Sequence, residues 1–297
     1  MRAQIKFLPD GRRLHLQDGP IDLIIEAFGS SELVKAAYEA AIRRFVTVLD
    51  ELCSELDLLR TRVGPNTPKP QHRVARSMAA AVAPYSARTF ITPMAAVAGA
   101  VAEEILEAMT SVAQLSKAYV NNGGDIALYL SPGEQFVVGM IARPDCPSLF
   151  GTATLCSSDA IGGIATSGWR GRSFSLGIAD AVTVLARRPT MADAAATIIA
   201  NAVNLPEHSS IHRVPARSIS PDSDLGDLLV TEYVGELSVN DVELALANGA
   251  AVAECLMSES LIHSAALRLQ KVTRVVSARN AVLSLRRAHL SRSLSHG

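Results

Sequence analysis

Apolar and polar residues alternate over positions 3–28. There "AQIKFL", a turn at Asp10-Gly11, "RRLHLQ" and "IDLIIEAF" read as two or three strands. The period then changes. From a cap at Ser30 or Ser31, the residues Leu33, Ala37, Phe45, Leu49, Leu52, Leu56 and Leu59 fall at helical spacing and predict a helix to about Arg60. "VGPNTPKPQ" is a loop, and alanine-rich helices follow at 72–83 and at 94–109, the second opening just after Pro93. Strand patterns return at 118–121, 125–130, 135–142, 151–156, 161–166 and 180–186. A helix from about 190 to 203 comes next, then a strand within "LLVTEYVGEL" (228–237) and a largely helical stretch at 240–290. Runs of strands alternating with runs of helices predict an α+β fold rather than a parallel βαβ sheet. In this reading the chain is a single domain over 1–297 with a mainly helical C-terminal extension, 240–297.

Composition narrows the classes. At 297 residues with 48% apolar and 19% charged residues, the chain can bury a large core. Aromatics are only 4%, so Ala, Val, Leu and Ile must fill that core and backbones must approach closely. A net charge of −1 removes the footprint of a dedicated nucleic-acid binder. The longest nearly uncharged stretch, 77–102, holds Arg88, Pro84 and Pro93, which marks a buried segment and not a membrane span. Cys53, Cys146, Cys156 and Cys255 have no metal-ligand spacing and read as reduced, mostly buried thiols of a cytoplasmic protein. The N-terminus "MRAQIKFLPDGRRLHL" has no apolar signal region. "TPMAAVAGAVAEE" (92–104) and "PTMADAAATIIAN" (189–201) echo each other, marking either a duplicated unit or merely two alanine-rich helices. The stretch from Leu267 to Gly297 carries seven Lys or Arg and no acid, and reads as a solvated face of a packed or oligomer-forming helix.

Three constellations can carry chemistry. Between two strands stand Asn121, Asn122, Gly123, Gly124 and Asp125. Paired glycines let a backbone pass close to a ligand and expose amides to phosphate or carbonyl oxygens, although a hairpin turn alone also uses glycine. In "IATSGWRGRSFS", Thr166, Ser167 and Gly168 leave a strand and Arg170 and Arg172 flank Gly171. Hydroxyls, free amides and guanidiniums suit a phosphate or diphosphate, and Trp169 can cover a flat ring; the alternative is a solvated loop whose arginines pair with carboxylates. In "MADAAATIIAN", Asp193 and Thr197 lie at i and i+4, so their oxygens share one helix face. They make a partial shell for Mg²⁺, or else Asp193 serves the helix dipole and Thr197 bonds its own i−4 carbonyl.

The order "NNGGD", "FVVGMIARP", "IATSG", "ADAAAT" resembles the ApbE superfamily of FAD-dependent flavin transferases, over about residues 92–203. That family typically shows a Gly-Gly-Asp turn, a strand like "WrVGIe-P", an "a-TSG" turn and "ADAlaT" on a helix. More closely, "ITPMAAVAGAVAEE", "SGWRGRSFSLGIADAVTVLA" and "PDSDLGDLLVT" look like a cytosolic branch of ApbE-related proteins. The resemblance implies a duplicated T-fold-like architecture of antiparallel sheets and packed helices, with the ligand between two pseudo-repeated halves. It implies FAD or FMN with Mg²⁺ as cofactors, and a metal held by Asp193, Thr197 and a backbone carbonyl around Ala98. Asn122, Gly123, Gly124, Asp125, Thr166, Ser167, Gly168, Arg170 and Arg172 become the cofactor-binding set. A flavoprotein acceptor is the implied partner, with self-association as a homo-oligomer also admitted.

Two departures bear on the chemistry. The family's "GGIAKG" lysine falls at Gly99, and its "HiidP-tG" segment is cut to "FSLGI" with no histidine. Asp180, just after that segment, becomes the candidate catalytic base. His208 and His212 either fold back toward the site or lie in a surface loop. The expected function is therefore binding of FAD or a related diphosphate with Mg²⁺, and FMN transfer to a flavoprotein. The alternatives are a different small-molecule reaction, such as hydrolysis or a sulfur-assimilation step, and a non-enzymatic cofactor-delivery partner.

Overall fold

The computed structural model describes residues 2–141, 149–277 and 283–285. The chain begins with an antiparallel meander, β1 (Gln4–Phe7), β2 (Leu14–Asp18) and β3 (Ile21–Phe28). In β2 the alternation of Leu14, Leu16 and Asp18 with His15 and Gln17 is also the alternation of burial. Helix α1 (Ser31–Ser54) starts where the Ser30 side chain accepts from the Leu33 amide, and the one-turn α2 (Leu56–Leu59) continues it. After α3 (Arg73–Val82), a tight turn at Pro93–Ala96 leads into α4 (Val97–Thr110). Then come β4 (Lys117–Asn122), β5 (Asp125–Leu130), β6 (Gln135–Ile141), β7 (Leu149–Cys156), β8 (Gly163–Ser167) and β9 (Ala181–Ala186). Helix α5 (Pro189–Ala202) follows, then β10 (Ile211–Pro215), the short α6 (Ala216–Ile219), β11 (Leu229–Val234) and α7 (Val239–Ser258). The described chain closes with β12 (Ser264–Leu269), β13 (Val272–Ser277) and β14 (Leu283–Leu285).

Nine strands form one antiparallel sheet in the order β1-β2-β3-β4-β5-β8-β9-β12-β13. The path of its two halves is the same: a hairpin (β2-β3 or β8-β9), a helical excursion, then a second hairpin (β4-β5 or β12-β13) laid beside the first. By that path α5 corresponds to α1, and α7 to α4, so the echo between 92–104 and 189–201 joins helices that are not equivalent. The helices cover one face of the sheet, where Phe45, Met78, Ile105, Ile199 and Leu246 meet Leu16, Leu23, Val120, Val182 and Leu267. On the other face Leu128, Ile164 and Leu185 pack against Ala153 and Leu155 of the three-stranded sheet β14-β7-β6. Covered on both faces, β9 is buried at every position.

Three expectations need correction. Residues 264–277 are two strands, not helix, because Leu267, Leu269 and Val276 alternate into the core. The basic stretch is therefore strand over 267–277, and its remainder lies outside the described residues except for β14. The cysteines are not mostly buried: Cys53 and Cys255 lie on outer faces of α1 and α7, and Cys156 is half-buried. Cys146 falls outside the described residues. Among the described residues no helix is long and apolar enough to cross a membrane.

Candidate functional site

The β4-β5 turn explains its own composition. Asn122 pairs with Asp125, leaving only Gly123 and Gly124 between the strands, with φ of +64° and +116°. A two-residue hairpin whose central residues both need positive φ favours glycine twice over. The flanking polar residues each tie the turn to something. Asn121 Oδ1 accepts from the Gly124 amide (2.8 Å). Buried Asn122 donates to the Ala98 carbonyl on α4 (3.1 Å), and Asp125 accepts from the Thr166 amide on β8 (3.0 Å).

Helix α4 has no capping side chain of its own; Ala96 occupies its N-cap. Asp193, in the second turn of α5, supplies one from outside: its carboxylate accepts from the Gly99 amide at 2.9 Å, with the Ala98 amide adding to its stabilisation. Asp193 thus serves the dipole of α4 rather than that of its own helix. The contact depends on close approach. A Cβ on Gly99 would lie 2.5 Å from the Pro189 carbonyl oxygen and 3.0 Å from Asp193 Cβ. The same two helices are joined at buried Glu103, which accepts from Arg188 Nε (2.7 Å) and from the Thr190 hydroxyl.

Asp125 and Asp193 are close enough to feel each other's charge. Burial, only partly offset by the Thr166 amide, pushes Asp125 up to about 7. Burial and then the Asp125 charge hold Asp193 well above the carboxylate range, against the pull of the Gly99 and Ala98 amides. Among the described residues no lysine, arginine or histidine pairs with either one. One helical turn on, the hydroxyl of half-buried Thr197 makes no hydrogen bond, not even to its own i−4 carbonyl. An uncompensated carboxyl pair beside a free hydroxyl is an all-oxygen donor set of the kind a hard divalent cation takes. No group of three or more His, Cys, Asp or Glu lies together among the described residues, so such an ion would keep water or ligand oxygens for the rest of its shell.

The loop leaving β8 lies over the same turn. Thr166 is exposed and its hydroxyl meets buried Thr183 at 2.9 Å, a partner on β9 that no sequence motif marked. Ser167 is half-buried at the strand end, and buried Gly168 accepts from the Gly171 amide (3.0 Å). The two arginines differ. Arg170 pairs with Asp180 (Nε to Oδ1, 2.8 Å) and lies over the Trp169 ring, 4.3 Å from its centroid. Arg172 reaches back to the Gly-Gly turn: a Cβ on Gly123 would sit 3.0 Å from its Nη1, and its Nη2 donates at 3.4 Å to the Pro20 carbonyl. Among the described residues Arg172 has no carboxylate partner. Asp180 is held by three donors, since besides Arg170 it accepts from the Trp169 indole (3.2 Å) and the Gln270 amide.

The histidines lie elsewhere. His208 meets Asp241 at the start of α7 (3.4 Å) and accepts from the Ser210 amide, while His212 pairs with Glu232 across β10-β11 (2.9 Å).

The chain is 34% identical over 181 residues to a UPF0280 protein of Methanopyrus kandleri, spanning 61% of this chain and 69% of that one. It is 41% identical over 113 residues to a UPF0280 protein of Methanothrix thermoacetophila, spanning 38% and 46%. Against a UPF0280 protein of Methanospirillum hungatei it is 39% identical over 128 residues, spanning 42% and 50%, so the chain spans about half the length of these last two relatives. Among solved structures it aligns with the apo flavinyl transferase ApbE of Pseudomonas stutzeri at 12% identity and a TM-score of 0.43, over 93% of this chain and 94% of that one. The family model described as "AbpE bacteria" matches residues 5–277. The chain belongs to that family, an ApbE-related branch.

Proposed function

We propose that this protein binds the diphosphate of a flavin nucleotide such as FAD together with Mg²⁺, and that it passes FMN to an acceptor flavoprotein slowly or not at all. One observation supports the reading: Asp125 and Asp193 feel each other's charge with no side-chain cation paired to either, and the Thr197 hydroxyl one turn after Asp193 has no partner. Family membership supports the ligand class, and the all-oxygen donor set supports the choice of metal. Asp193 and Thr197 hold the ion in this reading, with Asp125 beside them. Bound there, Mg²⁺ would neutralise charge on the diphosphate. Arg172 and the Gly123-Gly124 amides take the phosphate oxygens, and Thr166 and Ser167 flank them.

Transfer also needs a group to accept the acceptor hydroxyl's proton. Asp180 already accepts three hydrogen bonds, and no described histidine shares the site. Lacking a positioned base costs on the order of 10²–10⁴-fold in rate. That favours a protein that holds or delivers the cofactor over a fast transferase. The test is incubation of purified protein with FAD, with and without Mg²⁺, followed by mass spectrometry of ligand and candidate acceptor. Intact FAD retained only with Mg²⁺, and little acceptor modification, is expected. FAD retention independent of Mg²⁺ would overturn the metal assignment, and rapid modification would overturn the slow transfer.

A further inference from the structure

Asp180 sits just before β9, where three donors from two separate elements converge on one carboxylate. From the β8-β9 loop come the Trp169 indole N–H (3.2 Å) and Arg170 Nε (2.8 Å). From the β12-β13 turn comes the amide of Gln270, a non-glycine residue at φ +52°. Asp180 is buried and its own amide donates to the Arg268 carbonyl (2.9 Å), so the acceptor is rigidly mounted. The Trp169 ring is half-buried and packs against the core, while the Arg170 guanidinium covers it from outside. About a third of the Arg170 side chain remains exposed (32%). A planar cation laid on an aromatic ring and locked by a carboxylate has lost the freedom a surface arginine usually keeps. Its outer face is a flat, charged platform. Thr166 and Arg172, on either side of it in sequence, both touch the β4-β5 hairpin, so the platform stands in a loop anchored at both ends to that turn.

We infer that Asp180 is a positioning residue and not the base, and that through Trp169 and Arg170 it presents a stacking platform for the planar heteroaromatic ring of the ligand. This rests on the diphosphate reading above and assigns the ring end of the ligand to the loop. The ring is either the isoalloxazine or the adenine of a dinucleotide; both offer a π face to a guanidinium. In this arrangement Arg170 is a specificity determinant, whereas Arg172 remains with the phosphates. The Asp180 carboxylate keeps its three donors throughout and moves no proton.

The experiment separates ring from diphosphate. Trp169 is the only tryptophan, so its fluorescence reports the platform directly. Titrate wild type, Asp180→Asn and Arg170→Gln with magnesium pyrophosphate, with FMN and with ADP, following Trp169 emission and binding by calorimetry. Wild type is expected to bind pyrophosphate and at least one ring ligand, with FMN or ADP telling which ring stacks. Both variants should lose about tenfold in affinity for that ring ligand while pyrophosphate affinity holds. In Asp180→Asn, Trp169 emission should change before any ligand is added, as its indole loses a charged acceptor. Arg170 is a surface side chain, so its variant keeps the test open if Asp180→Asn fails to fold. Unchanged ring affinity in Arg170→Gln overturns the platform. Ring affinity and Trp169 emission both unchanged in Asp180→Asn overturn its positioning role and the inference with it. Binding of pyrophosphate without either ring ligand overturns the inference alone, whereas binding of no probe removes the diphosphate reading and the platform with it.

Discussion

Asp193 is buried and Asp125 half-buried, and the cost of ionising them depends on pH. With the folded value of Asp125 pushed up to about 7 and an unfolded one near 3.9, the folded chain holds a proton that the unfolded chain releases between those limits. Stability in the absence of metal therefore falls as pH rises from about 4 to about 7, and Asp193, raised as well, adds to the loss. Asp125→Asn should flatten that slope, making the variant the more stable protein at pH 8 and erasing the difference near pH 4; urea titrations across that range measure it. Arg172 makes the opposite kind of prediction. Its guanidinium is exposed and joined to the protein only by a long bond to Pro20, so Arg172→Gln should leave the melting temperature unchanged. It should weaken magnesium pyrophosphate binding by about tenfold and reduce its salt dependence, read by calorimetry at two ionic strengths.

At the scale of elements, the site depends on how closely α4 and α5 meet. The lysine that the family resemblance places at Gly99 has no room there, because even a Cβ would lie 2.5 Å from the Pro189 carbonyl. Gly99→Ala should cost on the order of 1–3 kcal/mol by prising the helices apart, and Gly99→Lys should fold poorly instead of gaining activity. A thermal melt of each decides it. These contacts also show what the sequence could and could not reveal. Helix α1 and the hairpins β2-β3 and β4-β5 were legible, since the period of apolar residues, the Ser30 cap and the Gly-Gly turn all state the structure locally. The hairpin β12-β13 was not, because its turn is Gln270-Lys271, without glycine or asparagine, and its positive φ is sustained by Asp180 far away in sequence. The strand β10 hid for a related reason, being five residues that end at Pro215 and pair only with β11. The site's residue types were readable along the chain. That Asp193 caps α4, that Arg170 is neutralised by Asp180 while Arg172 is not, and that Thr183 backs Thr166 are facts of tertiary approach, which no local pattern encodes.

For the whole molecule, the carboxyl pair lies on the seam between the two halves of the great sheet. Asp125 opens β5, the last strand of the first half, and bonds to Thr166 on β8, the first strand of the second. Asp193 crosses the seam the other way, from α5 to the N-terminus of α4. Without a cation, two acids that repel each other stand where the halves are joined. With one, the repulsion becomes attraction across the joint, so binding should stabilise the entire unit rather than a loop. Because the ion needs the deprotonated acids, its effect should grow as pH rises through about 7. At a hundredfold excess over Kd, mass action supplies about 2.7 kcal/mol, which for a chain of this length raises the melting temperature by several degrees. Thermal melts with and without Mg²⁺ should therefore nearly coincide at pH 5.5 and separate by that amount at pH 8. Asp193→Asn should abolish the separation while the variant melts no lower than metal-free wild type at pH 8, since the amide still accepts from Gly99 and carries no buried charge. A magnesium effect of equal size at pH 5.5 and pH 8, or one that survives Asp193→Asn, would place the cation elsewhere on the molecule.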